Sequence, residues 1–274
     1  MPRIALLQMS AGIDPQANAT TLVDAIAEAA AGGAAMLFTP EMSGLIDRDR
    51  DRARLSVQAE ADDVVLAAVQ AAAADHRIWV HIGSLAVRTG DGLGKVANRA
   101  FVIDPTSAIV ARYDKMHLFD VDLAGGESYR ESGAYAGGEH GVAVETVIGK
   151  IGLSVCYDLR FSALYAAYSA AGATVLAIPA AFTVPTGRAH WHVLMRARAI
   201  ENACFVIAAA QTGHHADGRD TFGHSLVVGP WGEVLLDMGA NVGVGFCDLD
   251  PAQIDAVRGR IPVLKHRREI RIVG

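Results

Sequence analysis

The sequence predicts an α/β protein in which two mixed β-sheets pack together and are covered by helices. Three observations predict it. Short β-branched or apolar runs alternate with Ala-rich helical stretches along the whole chain, the pattern of a layered architecture rather than of a bundle. Two pairs of runs are joined by short turns, which brings antiparallel pairing into an otherwise parallel pattern. The strands are also too many for one doubly wound sheet of ordinary width.

The elements follow in chain order. Arg3 to Met9 reads as the first strand. Pro15 to Ala31 is a helix: Pro15 suits the first turn, Leu22, Ile26 and Ala29/Ala30 recur at helical spacing, and Gly32-Gly33 ends it. Ala35 to Phe38 is a second strand, stopped by Thr39-Pro40-Glu41. Ala59 to Asp75 is a second helix and Ile78 to Ser84 a third strand. From Asn98 to Tyr113 two apolar runs flank Asp104-Pro105-Thr106-Ser107, a hairpin turn by residue type. Val142 to Ile148 and Ile151 to Val155 repeat the pattern around Gly149-Lys150. Arg160 to Ala171 is helical, Thr174 to Ile178 a buried strand, His190 to Asn202 a helix and Cys204 to Ala209 a strand. Gly223 to Val228, Glu233 to Leu236 and Val244 to Asp248 complete the strands, and Pro251 opens a final helix.

Composition narrows the function. With 274 residues, 51% hydrophobic and 20% charged, the chain buries a large core and has no linker-like stretch, so one domain over residues 1–274 is expected. A net charge of -6 gives no basic footprint for nucleic acid and favours a small-molecule or protein partner. The apolar start ends at Gln8 and Ser10, too early for a signal peptide, and no run approaches a membrane span, so a cytoplasmic protein is expected. The three cysteines, Cys156, Cys204 and Cys247, are too few and too far apart for a disulfide framework. Ten histidines include His190/His192 and His214-His215, but none stands at zinc-site spacing. The glycine-rich Gly90 to Lys95 lacks phosphate-loop spacing, and Gly223-His224-Ser225 lacks the closing glycine of a serine elbow.

Three segments carry chemistry. Cys156, in Ser154-Val155-Cys156-Tyr157-Asp158, ends a buried strand where a helix begins. Unpaired N–H groups and the helix dipole there would lower a thiol's pKa and hold an oxyanion; a small core residue is the plain alternative. Glu41 ends a strand in Thr39-Pro40-Glu41-Met42, where partial desolvation would raise its pKa and suit it as a base. Lys115, in Tyr113-Asp114-Lys115-Met116-His117, follows a strand and is read either as an oxyanion donor or as a surface charge.

Taken together, Phe38-Thr39-Pro40-Glu41, Tyr113-Asp114-Lys115-Met116-His117-Leu118-Phe119-Asp120 and Gly152-Leu153-Ser154-Val155-Cys156-Tyr157-Asp158-Leu159-Arg160-Phe161 resemble the nitrilase, or carbon–nitrogen hydrolase, superfamily. Within it the chain is most similar to the Nit branch of deaminated-glutathione amidases and omega-amidases. The carriers are His117 to Asp122 with Glu131-Ser132, Ala189-His190-Trp191 with Arg196 to Glu201, and Gly223-His224-Ser225 with Pro230-Trp231-Gly232. Ser162, Arg188 and His192 depart from the family's usual Pro, Pro and Glu; the last two bear on substrate preference more than on the chemistry.

The resemblance implies a four-layer αββα sandwich that forms a homodimer or higher homo-oligomer through its helices, without metal or organic cofactor. It implies Glu41 as base, Cys156 as nucleophile, and Lys115 with the Tyr157 N–H as oxyanion donors. Glu131 would orient Lys115, and Arg160, Phe182 and Thr186 would bind the substrate. The substrate implied is a small 2-oxo acid amide, deaminated glutathione first and 2-oxoglutaramate second. The alternatives are a nitrilase or N-carbamoyl hydrolase, and a binding scaffold without turnover.

Overall fold

In the computed structural model, residues 1–90, 94–122, 126, 128–272 and 274 are described. Residues 91–93 of the glycine-rich Gly90 to Lys95 segment therefore lie outside the described residues.

Alternation along the strands explains the layering. The first sheet runs β17-β1-β2-β3-β4-β5, with β8 alongside β4; its strands are β1 (Arg3–Gln8), β2 (Met36–Phe38), β3 (Trp79–Arg88), β4 (Val96–Ile103), β5 (Ile109–Asp114), β8 (Tyr135–Ala136) and β17 (Gly243–Asp248). β1, β2 and β3 pair in parallel, and β17 closes one edge antiparallel to β1. Successive side chains face opposite ways. Ala5 and Leu7, Leu37, Phe101 and Ile103 therefore pack with the apolar faces of α1 (Pro15–Ala31) and α3 (Val64–His76). Ile4 and Leu6, Met36 and Phe38, Ala100 and Val102 share a separate buried cluster with the second sheet.

That second sheet runs β16-β15-β12-β11-β10-β9, from β9 (Val142–Thr146), β10 (Gly149–Leu153), β11 (Val175–Ala177), β12 (Phe205–Ala208), β15 (Leu226–Val228) and β16 (Val234–Asp237). Again the central three strands are parallel. Leu164, Tyr165 and Tyr168 of α4 (Ser162–Ala170) and Trp191, Met195 and Ala199 of α5 (Val184–Asn202) join the cluster built on this sheet. Helices, sheet, sheet and helices are the four layers expected, and no described helix is long and apolar enough to cross a membrane.

Local physics moves several boundaries. The second helix begins at Val64, not Ala59, because the Asp63 carboxylate accepts the Leu66 N–H and caps it there. In the β9–β10 hairpin the two-residue turn is Val147-Ile148; Gly149, at φ 112°, already pairs with Thr146. Residues Cys156–Arg160 form a 3-10 turn, and α4 starts only at Ser162. α5 starts at Val184, six residues before the expected His190, because Pro185 sits in its first turn, where a missing N–H costs nothing.

Short polar elements went unread: α2 (Arg50–Ser56), the ribbon of β6 (Asp120–Asp122) with β7 (Ser128–Arg130), and the ribbon of β13 (Thr212–His214) with β14 (Asp220–Phe222). After β17 come α6 (Ala252–Arg260) and the equally unread α7 (Val263–His266).

Candidate active site

The carboxyl ends of strands carry the expected residues, parallel strands for Glu41 and Cys156 and the antiparallel edge strand β5 for Lys115. Glu41 stands three residues after β2, Cys156 three after β10, and Lys115 immediately follows β5. Bridges Met9–Gln211 and Ala180–Ala210 tie these ends together. Glu131 opens a 3-10 turn that follows the β6–β7 ribbon.

The side chains converge in a buried cluster. Glu41 is 4% exposed, Lys115 2% and Cys156 8%, so neither charge is a surface charge. Lys115 Nζ donates to Glu41 Oε1 at 2.9 Å and to Glu131 Oε2 at 2.9 Å and Oε1 at 3.1 Å. The other Glu41 oxygen, Oε2, accepts the Ala181 N–H at 2.8 Å, and the Cys156 thiol stands near enough to this carboxylate to lower its pKa. Phe119 N–H donates to Glu131 Oε2 at 2.6 Å. Two carboxylates and one ammonium leave the cluster with a formal charge of about -1.

Electrostatics inside the cluster reverse two expectations. Burial pushes the Glu41 carboxyl up, but the Lys115 charge and the Cys156, Lys115 and Ala181 donors outweigh it, so its pKa lies below the usual 4.5. Burial, and next the negative charge of Glu41, hold the Cys156 thiol well above its usual range despite Lys115. Burial pushes Lys115 down, yet Glu131 and Glu41 more than reverse this and keep it charged. The resting site is therefore a thiol near a carboxylate and an ammonium. Such a nucleophile is activated by proton transfer during attack rather than by standing as a thiolate.

Backbone geometry presents the sulfur. Cys156 has φ 51°, a left-handed conformation rare for a residue with a Cβ. Its N–H donates to Pro179 O at 2.8 Å. Among the described residues the next N–H, that of Tyr157, has no backbone acceptor, which leaves it available to an oxyanion.

Two residues of this network escaped the sequence reading. Asn98, 1% exposed on β4, donates through Nδ2 to Glu41 Oε1 at 3.0 Å and Glu131 Oε1 at 3.2 Å, and its carbonyl accepts the Lys115 N–H at 2.9 Å. Asp158, fully buried, accepts the Val155 N–H at 2.8 Å, the Tyr113 hydroxyl at 2.7 Å and the His117 N–H at 3.0 Å, joining the Cys156 turn to the Lys115 segment. The signal was a polar residue placed within an apolar strand run, Val96-Ala97-Asn98. Asn98→Ala is expected to lower kcat about 10- to 100-fold with KM nearly unchanged, since a hydrogen bond to a charged group contributes about 1.5–3 kcal/mol. Steady-state kinetics check it; an unchanged kcat would make Asn98 a packing residue.

The side chains of the expected substrate-binding residues Arg160, Phe182 and Thr186 make no hydrogen bond to this cluster among the described residues. Arg160 does not pair with Asp158; its guanidinium lies over the rings of Phe182 at 5.5 Å and Tyr157 at 5.9 Å and contacts His190 Nδ1 at 3.4 Å. Phe182 is 5% exposed and packs on Trp191, with ring centroids 5.0 Å apart. Thr186 stands in the first turn of α5, its hydroxyl 2.7 Å from Thr183 Oγ1. Arg160 borders a cavity of about 860 Å³, while Tyr129, Thr183, Arg48 and Arg219 line another of about 570 Å³.

Comparison with known proteins places this geometry. The carbon-nitrogen hydrolase family model matches residues 3–259. A deaminated glutathione amidase of Yersinia enterocolitica is 35% identical over 266 residues, covering 97% of this chain and 92% of that protein. The crystal structure of the Caenorhabditis elegans NitFhit protein superposes with a TM-score of 0.90 at 35% identity, covering 97% of this chain; the chain spans 65% of that longer protein. A glutamate-to-glutamine mutant of the amidase from Nesterenkonia sp. AN1, 28% identical, superposes with a TM-score of 0.81 over 97% of this chain and 94% of that one; it shows covalent addition of the acetamide moiety of fluoroacetamide at its active-site cysteine.

Proposed function

The chain belongs to the carbon–nitrogen hydrolase family, and from that premise we propose that it is a thiol amidase that cleaves the amide of a small 2-oxo acid, deaminated glutathione first, through a thioester on Cys156. The observation that carries the reading is one buried cluster. Lys115 Nζ donates to Glu41 at 2.9 Å and the buried Cys156 thiol and this carboxylate shift each other's pKa, which supports base, nucleophile and cation in a single site.

The chemistry follows from the positions. Glu41 takes the Cys156 proton as sulfur bonds to the amide carbonyl carbon. Lys115 Nζ and the Tyr157 N–H hold the oxygen as it becomes negative, where removing one such donor costs about 3 kcal/mol. Collapse breaks the C–N bond, and Glu41 returns its proton to the departing nitrogen. Water, deprotonated by Glu41, then attacks the thioester; the carboxylic acid leaves, and the proton goes back to sulfur. Glu131 and Asn98 keep Lys115 and Glu41 in register throughout. The covalent adduct on the cysteine of the Nesterenkonia amidase supports the nucleophile, and the Yersinia relative's name supports the substrate class. We extend the proposal to a cytoplasmic homodimer, which light scattering tests for its assembly.

A guanidinium above Tyr157 and Phe182 suits the 2-oxo carboxylate, which arginine grips bidentately; Thr186 shapes the same approach from α5. Arg160→Ala is therefore expected to raise KM for deaminated glutathione about 10- to 100-fold, the loss of about 1.5–3 kcal/mol, and to leave hydrolysis of a simple neutral amide unchanged. Equal losses on both substrates would remove Arg160 from carboxylate recognition. The deciding assay is amine or ammonia release from deaminated glutathione, 2-oxoglutaramate, a simple nitrile and an N-carbamoyl amino acid. Release from the first is expected; release only from the nitrile or carbamoyl compound would replace the substrate class.

A further inference from the structure

Next to Trp191, whose indole N–H donates to the His224 carbonyl, three side chains distant in sequence meet. His192 on α5, His224 before β15 and Asp237 at the end of β16 place their ligand atoms within 4.8 Å of one another. His192 Nε2 lies 2.9 Å from Asp237 Oδ2, and His224 Nδ1 lies 2.9 Å from Oδ1, across 45 and 13 residues of chain. We propose that these three residues bind a first-row divalent metal ion of the zinc class, at a site separate from the thiol centre.

The ligand set and its spacing support this ion. Two imidazoles and one carboxylate suit zinc, cobalt, nickel or copper rather than the all-oxygen shells of magnesium and calcium. With metal–ligand bonds near 2.1 Å, adjacent corners of a zinc tetrahedron lie about 3.4 Å apart. Asp237 Oδ2 lies 2.9 Å from His192 Nε2 and 3.2 Å from His224 Nδ1, so a small opening of these two contacts admits the ion. On metal binding each imidazole offers the Asp-facing nitrogen as a lone pair and keeps its proton on the other nitrogen. The side chains are between 29% and 37% exposed, which admits the ion and leaves positions for water.

The surroundings hold two of the ligands in place. His224 has φ 56° directly after Gly223 at φ 74°. Its N–H donates to Gly239 O, and its carbonyl accepts the Trp191 indole N–H at 2.8 Å. Phe222 stacks on the His224 ring at 4.5 Å, fixing the imidazole plane. Asp237 Oδ1 also accepts the Gly239 N–H at 2.9 Å. Fixed backbone and ring contacts of this kind orient metal ligands in built sites. No spacing rule finds the set, because its members reach one another only through the fold; His192 is the residue that departs from the family's usual Glu.

Zinc chloride titrated into the full chain by calorimetry tests the site. The wild type is expected to bind one equivalent that His192→Gln does not, and zinc is expected to raise the melting temperature of the wild type but not of that variant. Glutamine keeps the hydrogen bond to Asp237 and offers no metal-binding nitrogen, and melting without zinc confirms that the variant is folded. Absence of zinc binding by the wild type, retention of the equivalent in His192→Gln, or its loss in His214→Ala, whose His214–Asp220 pair is exposed, would each overturn the proposal.

Discussion

Cys156→Ala is expected to lower kcat for amide hydrolysis by on the order of 10⁶, the loss seen when the nucleophile of a covalent hydrolase is removed, while the protein stays folded. The thiol's acidic neighbour is Glu41, which keeps Lys115, Asn98 and the Ala181 N–H as donors after the change. The strained backbone is held by the Cys156 N–H to Pro179 contact, which alanine retains. Melting should therefore shift by no more than about 1–2 kcal/mol of stability. Neither remaining thiol can substitute. Cys204 points its thiol at Ala173 O and Asn202 O, and burial pushes its pKa up to about 11; Cys247 is raised by burial and by Asp248 and contacts Asp248 O. Amine release measured beside a melting curve separates the cases: a folded variant that still turns over would sink the thioester mechanism. Mass spectrometry of the wild type under slow turnover should show the acyl mass on the Cys156 peptide.

The legibility of this molecule divides along physical lines. α1 was readable to the residue because its signals are local: Pro15 at one end, Gly32-Gly33 at the other, and an apolar stripe between; the Asp14 cap went unread. The pairs Glu41 and Lys115, and Glu41 and Cys156, were legible as residue types at strand ends, and the family resemblance named them. What no local rule reaches is the sign of their pKa shifts. The lowered Glu41 and raised Cys156 values depend on Lys115 and Glu41 standing within hydrogen-bond reach after folding. Asn98 is the same case, a polar residue whose purpose appears only when Glu41 and Glu131 arrive on either side of its amide. The short ribbons β6–β7 and β13–β14 lacked an apolar period because each strand has three residues, mostly outside the core. The His192–His224–Asp237 set lies at the same limit.

Lys115→Met is expected to be the most destabilising change at the site as well as a catalytic loss. In the wild type a single ammonium satisfies both Glu41 and Glu131 at 2.9 Å, with 2% of the lysine exposed. Removing it strands two acidic groups in a buried cluster, and breaking a buried ion pair from one side costs about 3–5 kcal/mol. Turnover should fall at least 10²–10³-fold through loss of an oxyanion donor. The dependence on pH distinguishes this cause from a packing defect. Because the folded-state pKa of Glu41 lies below its ordinary 4.5, its contribution to wild-type stability is present above that value and is lost as pH falls through the folded value. Without Lys115 the burial that pushes this carboxyl up loses its main opponent, so the variant should lose stability as pH rises above 4.5 and recover it in acid. The gap between the two melting curves should therefore narrow from pH 8 to pH 4. Adding Glu41→Gln to Lys115→Met should restore much of the stability and none of the activity, a positive coupling in a double-mutant cycle. A gap independent of pH, or a double variant no more stable than Lys115→Met, would show that methionine fails there through shape and not through the charges it leaves behind.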